Sequence, residues 1–265
     1  MKIACIQLDI EFGEPKKNFH KVQTLIEQVA KEGAELVVLP EMWNTAYALT
    51  ELEELADREG EQTKQFLSEL AVKHHIHIVG GSVSTKKGDR FYNTMYVYTN
   101  KGELVADYDK AHLFRLMDEH LYLHAGNKDN LFSLGSIRAS GVICYDIRFP
   151  EWLRAHALAG ADVIFVPAQW PESRIDHWKL LLQARAIENQ CFVIAVNRIG
   201  QDPNNQFNGQ SMVIAPWGKI LWIGGECEEY ALIDVDFSEV EEVRQRIPVF
   251  EDRRPTLYKP LFENE

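Results

Sequence analysis

The sequence predicts an α/β layered domain built on mixed rather than purely parallel sheets. Strand-like and helix-like periodicities alternate in both halves of the chain, and hairpin signals sit between them. With 265 residues, 46% of them hydrophobic, the chain is long enough to bury a large core. Neither a linker, a low-complexity tract nor a repeat with a period of about 20–50 residues interrupts it. One domain over residues 1–265 is the expectation, closing in a tail from about residue 247.

Taken in order, residues 3–8 read as a short apolar strand. Pro15 opens a helix whose Phe19, Val22, Leu25, Ile26 and Val29 recur at helical spacing until Gly33 stops it. Residues 36–39 form a buried strand that ends at Pro40-Glu41. A second helix, about 61–75, buries Phe66, Leu67 and Leu70, and residues 76–79 lead as a strand into Gly80-Gly81. Residues 91–98 and 104–108 alternate about Thr99-Asn100-Lys101-Gly102, a hairpin signal. The second half repeats the rhythm: strand 137–143, helix 150–159, strand 163–166, helix 176–190, then strands 192–196 and 210–215. A turn at 216–219 joins strand 220–223, strand 230–235 completes the sheet, and a short helix from Ser238 gives way to an irregular tail.

Composition removes whole classes of function. A net charge of −12 with no basic stretch argues against nucleic acid as a partner. No apolar run reaches the roughly 18 residues a membrane span needs, and the start of the chain already reads as a strand rather than a leader. The expected location is the cytoplasm, where Cys5, Cys144, Cys191 and Cys227 would stay free thiols; their spacing suits neither zinc nor redox work. His74, His75 and His77 cluster, with His75 and His77 on one face of the expected strand. No third ligand is obvious, so no metal is expected. The absence of a glycine-rich phosphate loop argues against a nucleotide enzyme, and no cofactor is expected.

Three strand ends carry complementary chemistry. Cys144 follows the apolar run 137–143 and precedes Pro150-Glu151, a helix start because proline fits the first turn. A thiol there is presented by a rigid scaffold, with the following N–H groups available to an oxyanion. Glu41 closes strand 36–39, where partial desolvation would suit a general base. Lys110 follows the strand 104–108 beside Ala111-His112-Leu113-Phe114, where a fixed cation could face an oxyanion. Alone, each has a plainer reading: a buried small hydrophobe, a loop carboxylate, a solvated lysine. Together they are a nucleophile, a base and an electrostatic stabiliser.

Leu-Pro-Glu41-Met, Tyr-Asp-Lys110-Ala-His-Leu-Phe and Cys144-Tyr-Asp-Ile-Arg-Phe-Pro-Glu resemble, in order and separation, the three signature segments of the nitrilase superfamily of carbon–nitrogen hydrolases. The resemblance runs from Ile3 to about Tyr258. It implies a four-layer αββα sandwich, no metal, and a Glu–Lys–Cys triad, commonly in homodimers that pair helix layers or in larger assemblies. Carried over, Cys144 is the nucleophile, Glu41 the general base and acid, and Lys110 the stabiliser of the intermediate. Glu119, seven residues before Gly126, matches a supporting glutamate, and the N–H of Tyr145 would complete the oxyanion hole.

The second half, through His177-Trp178, Arg185, Glu188-Asn189-Gln190 and Arg246-Ile-Pro248-Val-Phe250, is most similar to omega-amidases. Those hydrolyse the terminal amide of α-keto acid amides such as 2-oxoglutaramate and 2-oxosuccinamate, and one bacterial branch serves methionine salvage. Arg148 would then clamp the substrate carboxylate in a two-pronged way, and Tyr47 would bond the same end. The chain departs from the pattern at Gln169-Trp170-Pro171-Glu172-Ser173-Arg174, where Trp170 is a candidate for the pocket rim and Ser173 or Arg174 would replace a threonine contact. Two rivals follow: an amidase for a neutral or N-carbamoyl substrate or a nitrilase, which would be indifferent to Arg148, and a binding protein that keeps the fold but not the chemistry.

Overall fold

Alternation along the strands decides which faces are buried against what, and so how the layers stack. In the strand Lys2–Gln7, Ile3 and Cys5 point into one apolar cluster while Ala4 and Ile6 point into another. The first cluster also contains Leu36, Val38, Val79, Met95 and Val97 together with Ala139, Val163, Phe165, Val193 and Ile194, so it is the layer shared by two sheets. The second joins the outer face of the first sheet to Phe19, Val22, Ile26 and Val29 of the helix Pro15–Lys31 and to Leu67, Leu70 and Ala71 of the helix Glu61–His74. On the far side, Leu153 and Ala157 of the helix Pro150–Leu158 and Trp178, Leu182 and Ala186 of the helix Ile175–Asn189 cover the second sheet. Helix, sheet, sheet, helix is the αββα sandwich expected. The computed structural model describes residues 1–262.

Both large sheets are mixed. In the first, Lys2–Gln7 runs parallel to Leu36–Val38, which runs parallel to His77–Val79, while Glu229–Asp234 closes one edge antiparallel. Arg90–Tyr98 pairs antiparallel with Val83–Lys87 and with Leu104–Asp109. In the second sheet, Ile137–Gly141, Val163–Ala168 and Phe192–Asn197 are parallel; Leu131–Leu134 and Met212–Ile214 flank them antiparallel, and Ile220–Ile223 pairs antiparallel with Met212–Ile214 at the edge.

Several sequence expectations change. Strand 137–143 stops at Gly141, because Cys144–Arg148 winds into a short 3-10 turn before Pro150 starts its helix. His75 is not on a strand: it ends its helix at φ 56°, and His77 Nδ1 accepts the Asn100 N–H at 3.1 Å. Among the described residues no metal-binding cluster of His, Cys, Asp and Glu occurs. The tail expected to be irregular carries the helix Pro255–Phe262. Among the described residues, no helix is long and apolar enough to cross a membrane.

Candidate active site

Parallel strands end on the same side of their sheets, and the residues just past those ends converge. Glu41 follows Leu36–Val38, Lys110 follows Leu104–Asp109, Cys144 follows Ile137–Gly141 and Gln169 follows Val163–Ala168. Glu119 opens the short helix Glu119–Tyr122 in the loop beyond Lys110. Gly126 is needed there because a Cβ would strike the Asp109 carbonyl, and its N–H donates to the Lys110 carbonyl at 2.9 Å. The seven-residue spacing thus has a physical basis: the loop is pulled tight against the strand end that bears the lysine.

Lys110 is fully buried between two fully buried carboxylates, donating to Glu41 Oε1 at 2.9 Å and to Glu119 Oε1 at 2.7 Å. Glu41 Oε1 also accepts Asn93 Nδ2 at 2.8 Å, and Glu41 Oε2 accepts the Gln169 N–H at 2.7 Å. Glu119 Oε2 accepts the Phe114 N–H at 2.6 Å. Every charge is therefore paired or hydrogen-bonded, without which burial would cost several kcal/mol per ion. Burial alone would lower the lysine pKa, but Glu119 and Glu41 outweigh it and hold Lys110 above its ordinary value. Burial raises Glu119, with Lys110 opposing it and Glu41 reinforcing it.

Cys144 is 4% exposed and adopts φ 45°, a left-handed conformation that a non-glycine residue holds only when its surroundings impose it. Asp146 supplies that constraint. Its fully buried carboxylate accepts the Ile143 N–H at 2.8 Å, the His112 N–H at 3.0 Å and the Tyr108 hydroxyl at 2.9 Å. One side chain thereby ties the cysteine turn to the segment after Lys110. Burial, then the charge of Glu41, pushes the thiol well above the usual range, and Lys110 offsets only part of this. A third negative charge, added to the two carboxylates, is disfavoured at rest. The geometry suits proton removal during attack rather than a standing thiolate. Tyr145 is second in the turn, where an N–H has no partner within the helical turn itself.

The cavity over Cys144 is small and is lined by Phe114, Tyr145, Arg148, Gln169, Trp170, Pro171 and Arg174. Arg148 lies 4.7 Å over the Trp170 ring, with Nη2 3.3 Å from His177 Nδ1; Arg174 lies 5.3 Å over Phe114. Neither guanidinium has a carboxylate within ion-pair distance among the described residues. Trp170 is at the wall, buried, with its indole N–H donating to the Arg174 carbonyl at 2.8 Å. Ser173 is exposed and is not among the lining residues. Tyr47 is placed differently too. Its hydroxyl lies 2.9 Å from Glu41 Oε1 and 2.6 Å from Glu119 Oε1, so it belongs with the buried carboxylates rather than with the arginines.

Sequence reasoning missed Asn93, Asp146 and Gln169. Asn93 had a readable signal: in Arg90–Tyr98 it shares the inward face with Met95 and Val97, and a polar residue on an apolar face invites a question. Asp146 is tied locally to the Ile143 N–H, but its reach to Tyr108, 38 residues away, and that of Gln169 to Glu41, 128 residues away, leave no local signal.

Known proteins bear on this geometry directly. A 2-oxoglutaramate amidase from Bacillus subtilis is 51% identical over 97% of this chain and 98% of its own length. An omega-amidase from Homo sapiens is 32% identical over 97% and 96%. A solved structure from Xanthomonas campestris, a CN-hydrolase superfamily protein with an arsenic adduct in its active site, superposes with a TM-score of 0.90 at 31% identity, covering 96% of this chain and 97% of that one. The carbon-nitrogen hydrolase family model matches residues 2–245, and this chain belongs to that family.

Proposed function

We propose that this carbon–nitrogen hydrolase cleaves the terminal amide of an α-keto acid amide, 2-oxoglutaramate or 2-oxosuccinamate, releasing the acid and ammonia through a thioester on Cys144. The observation that carries the reading is the pair of guanidiniums, Arg148 and Arg174, lining the cavity over Cys144 with no carboxylate partner among the described residues. A guanidinium stacked on an aromatic face is pre-oriented for a carboxylate, and an unpaired one this close to a thiol calls for an anionic substrate. The name and near full-length similarity of the Bacillus subtilis relative support the same choice.

In this mechanism Glu41 takes the proton from Cys144 Sγ as sulfur attacks the amide carbon. Lys110 Nζ and the Tyr145 N–H hold the oxyanion, and Glu119 keeps Lys110 in place. The C–N bond breaks as Glu41 passes its proton to nitrogen, and ammonia leaves. Glu41 then deprotonates a water that attacks the thioester, the acid departs, and the proton returns to sulfur. Trp170 orients Arg148, and Tyr47 steadies the two glutamates.

Ammonia release from 2-oxoglutaramate, measured beside glutamine, an N-carbamoyl amine and a simple nitrile, tests the reading. A preference for the keto amide is expected; cleavage of another substrate with the keto amide ignored would overturn the pocket assignment. We further propose a homodimer or larger assembly in the cytoplasm. Leu180 and Ile187, seven residues apart on the helix Ile175–Asn189, are exposed at 68% and 51%, as is Trp217 at 44%, and all four cysteines are free. Sedimentation at micromolar concentration should give at least a dimer; a monomer would refute the assembly.

A further inference from the structure

We infer that Gln169, held in place by Arg198, is a positioning residue that keeps one oxygen of Glu41, Oε2, open as the proton acceptor. The inference rests on the proposed roles of Glu41 and Cys144 and adds which oxygen acts and what holds it.

An ionised carboxylate oxygen offers two lone pairs. On Glu41, Oε1 already receives Lys110 Nζ at 2.9 Å and Asn93 Nδ2 at 2.8 Å, with the Tyr47 hydroxyl also at 2.9 Å. Its capacity is used. Oε2 receives one donor, the Gln169 N–H at 2.7 Å, so the free lone pair of this carboxylate lies there. The same residue faces the nucleophile: the Gln169 carbonyl is 3.9 Å from Cys144 Sγ and accepts the resting thiol proton. One residue therefore brackets both partners of the transfer, its N–H on the base and its carbonyl on the thiol.

The side chain of Gln169 fixes that residue from two sides. Its Nε2 donates to the Glu41 carbonyl at 2.8 Å, tying it to the segment that carries the base. Its Oε1 accepts from Arg198 Nη1 at 3.2 Å. Arg198 is fully buried and is itself immobilised, donating to the carbonyls of Ile199 at 3.0 Å and Ile10 at 2.8 Å and lying 4.6 Å over the Phe207 ring. A guanidinium held on so many fixed acceptors sets the position of the amide that meets it, not the reverse. Its one carboxylate within ion-pair distance among the described residues, Asp9, is 3.7 Å away with its side chain half exposed, and Asp202 and Glu11 act on it only from farther off. Asn197 clamps the next residue, accepting the Trp170 N–H at 2.7 Å and donating to its carbonyl at 3.1 Å.

The test is Gln169→Met, which keeps the side-chain length and the backbone N–H, removes the side-chain bonds to the Glu41 and Met42 carbonyls and to Arg198, and leaves the carbonyl contacts of Arg198 untouched. Two rates are read: ammonia release from 2-oxoglutaramate and alkylation of Cys144 by iodoacetamide, with Cys227 as the internal reference. We expect kcat to fall about 10- to 100-fold with KM within about twofold, because misplacing a reacting group costs rate rather than affinity. Alkylation of Cys144 should fall by a similar factor, since Glu41 must accept the thiol proton there as well. A purely structural role would lower the melting temperature and leave the alkylation rate of folded protein unchanged. Arg198→Met, where it folds, should give the same pattern as Gln169→Met. Wild-type kcat and alkylation in Gln169→Met would overturn the inference; so would a loss of kcat with Cys144 alkylation intact. Glu41→Gln separates the layers. If it abolishes both rates while Gln169→Met changes neither, only the role of Gln169 falls; if it changes neither, the base assignment falls with it.

Discussion

Glu41, Lys110 and Glu119 are fully buried and bonded to one another, whereas Arg148 and Arg174, in the cavity over Cys144, are only half-buried. The buried trio is over-determined: Glu41 alone accepts from Lys110, Asn93, Tyr47 and Gln169. Each arginine is steadied by one aromatic ring, with a single contact from His177 added to Arg148. A group locked by four donors cannot be altered without disturbing the rest, while a side chain leaning on a ring can be exchanged on its own. The two regions therefore divide the labour, chemistry at the strand ends and choice of substrate at the rim. The segment 169–174, where the chain departs from the omega-amidase pattern, spans the junction: Gln169 belongs to the buried part, Trp170 and Arg174 to the rim.

If the division is right, substitutions on the two sides should fail differently. The largest effect is expected from Cys144→Ala, which removes the only group proposed to form the thioester: kcat for ammonia release should fall by about 10⁴-fold or more. Turnover near that of the wild type would remove the thioester from the mechanism. Next is Lys110→Met, which leaves two buried carboxylates facing each other unneutralised. Breaking a buried pair in this way costs about 3–5 kcal/mol, to be read from denaturant unfolding at pH 7. Glu119 is already raised by its burial, so the deficit should shrink at acid pH, where it takes up a proton. A deficit independent of pH would mean the lysine acts there by packing alone. Smaller again is Arg148→Lys, which replaces a planar fork by a point charge: KM for 2-oxoglutaramate should rise about tenfold with kcat little changed. A fall in kcat at constant KM would place Arg148 with the chemistry and break the comparison.

The same contrast separates what the sequence disclosed from what it withheld. Glu41, Lys110 and Cys144 are legible because each sits just past a strand whose apolar pattern is local, and Glu119 only through the family resemblance. The layered α/β class is legible from strands and helices alternating along the chain, and the four-layer sandwich from the family resemblance. What was hidden depends on encounters between distant segments. The omega-amidase resemblance puts Tyr47, six residues past Glu41, at the substrate's carboxylate end, but its hydroxyl reaches Glu119, 72 residues on. Ser173 was assigned to the pocket by alignment with a threonine, yet the turn Glu172–Arg174 leaves it exposed while its neighbour Arg174 lines the cavity. Side-chain direction in a short irregular turn is set by what packs on it, here Trp170 and Phe114, and no periodicity encodes that.

The smallest predicted effect concerns the resting charge of the buried region. Burial and Glu41 hold the Cys144 thiol well above its ordinary range, so the folded enzyme should keep it protonated where an unfolded chain would not. The acid is raised on folding, so the unfolded state binds fewer protons than the native state once pH passes the usual thiol range, and stability contributed by this group declines there. The decline approaches about 1.4 kcal/mol per pH unit for one proton. It is isolated by comparing the pH dependence of unfolding for the wild type with that of Cys144→Ala, which lacks the group; the wild type should lose ground above about pH 9. Thiolate absorbance near 240 nm, taken as the difference between the same two proteins, should likewise stay flat from about pH 6 to 9. A thiolate step below that range would mean that Lys110 outweighs both burial and the carboxylates and that the nucleophile is preformed. Glu41 would then have no proton to take from sulfur, and its task would begin only at the leaving nitrogen.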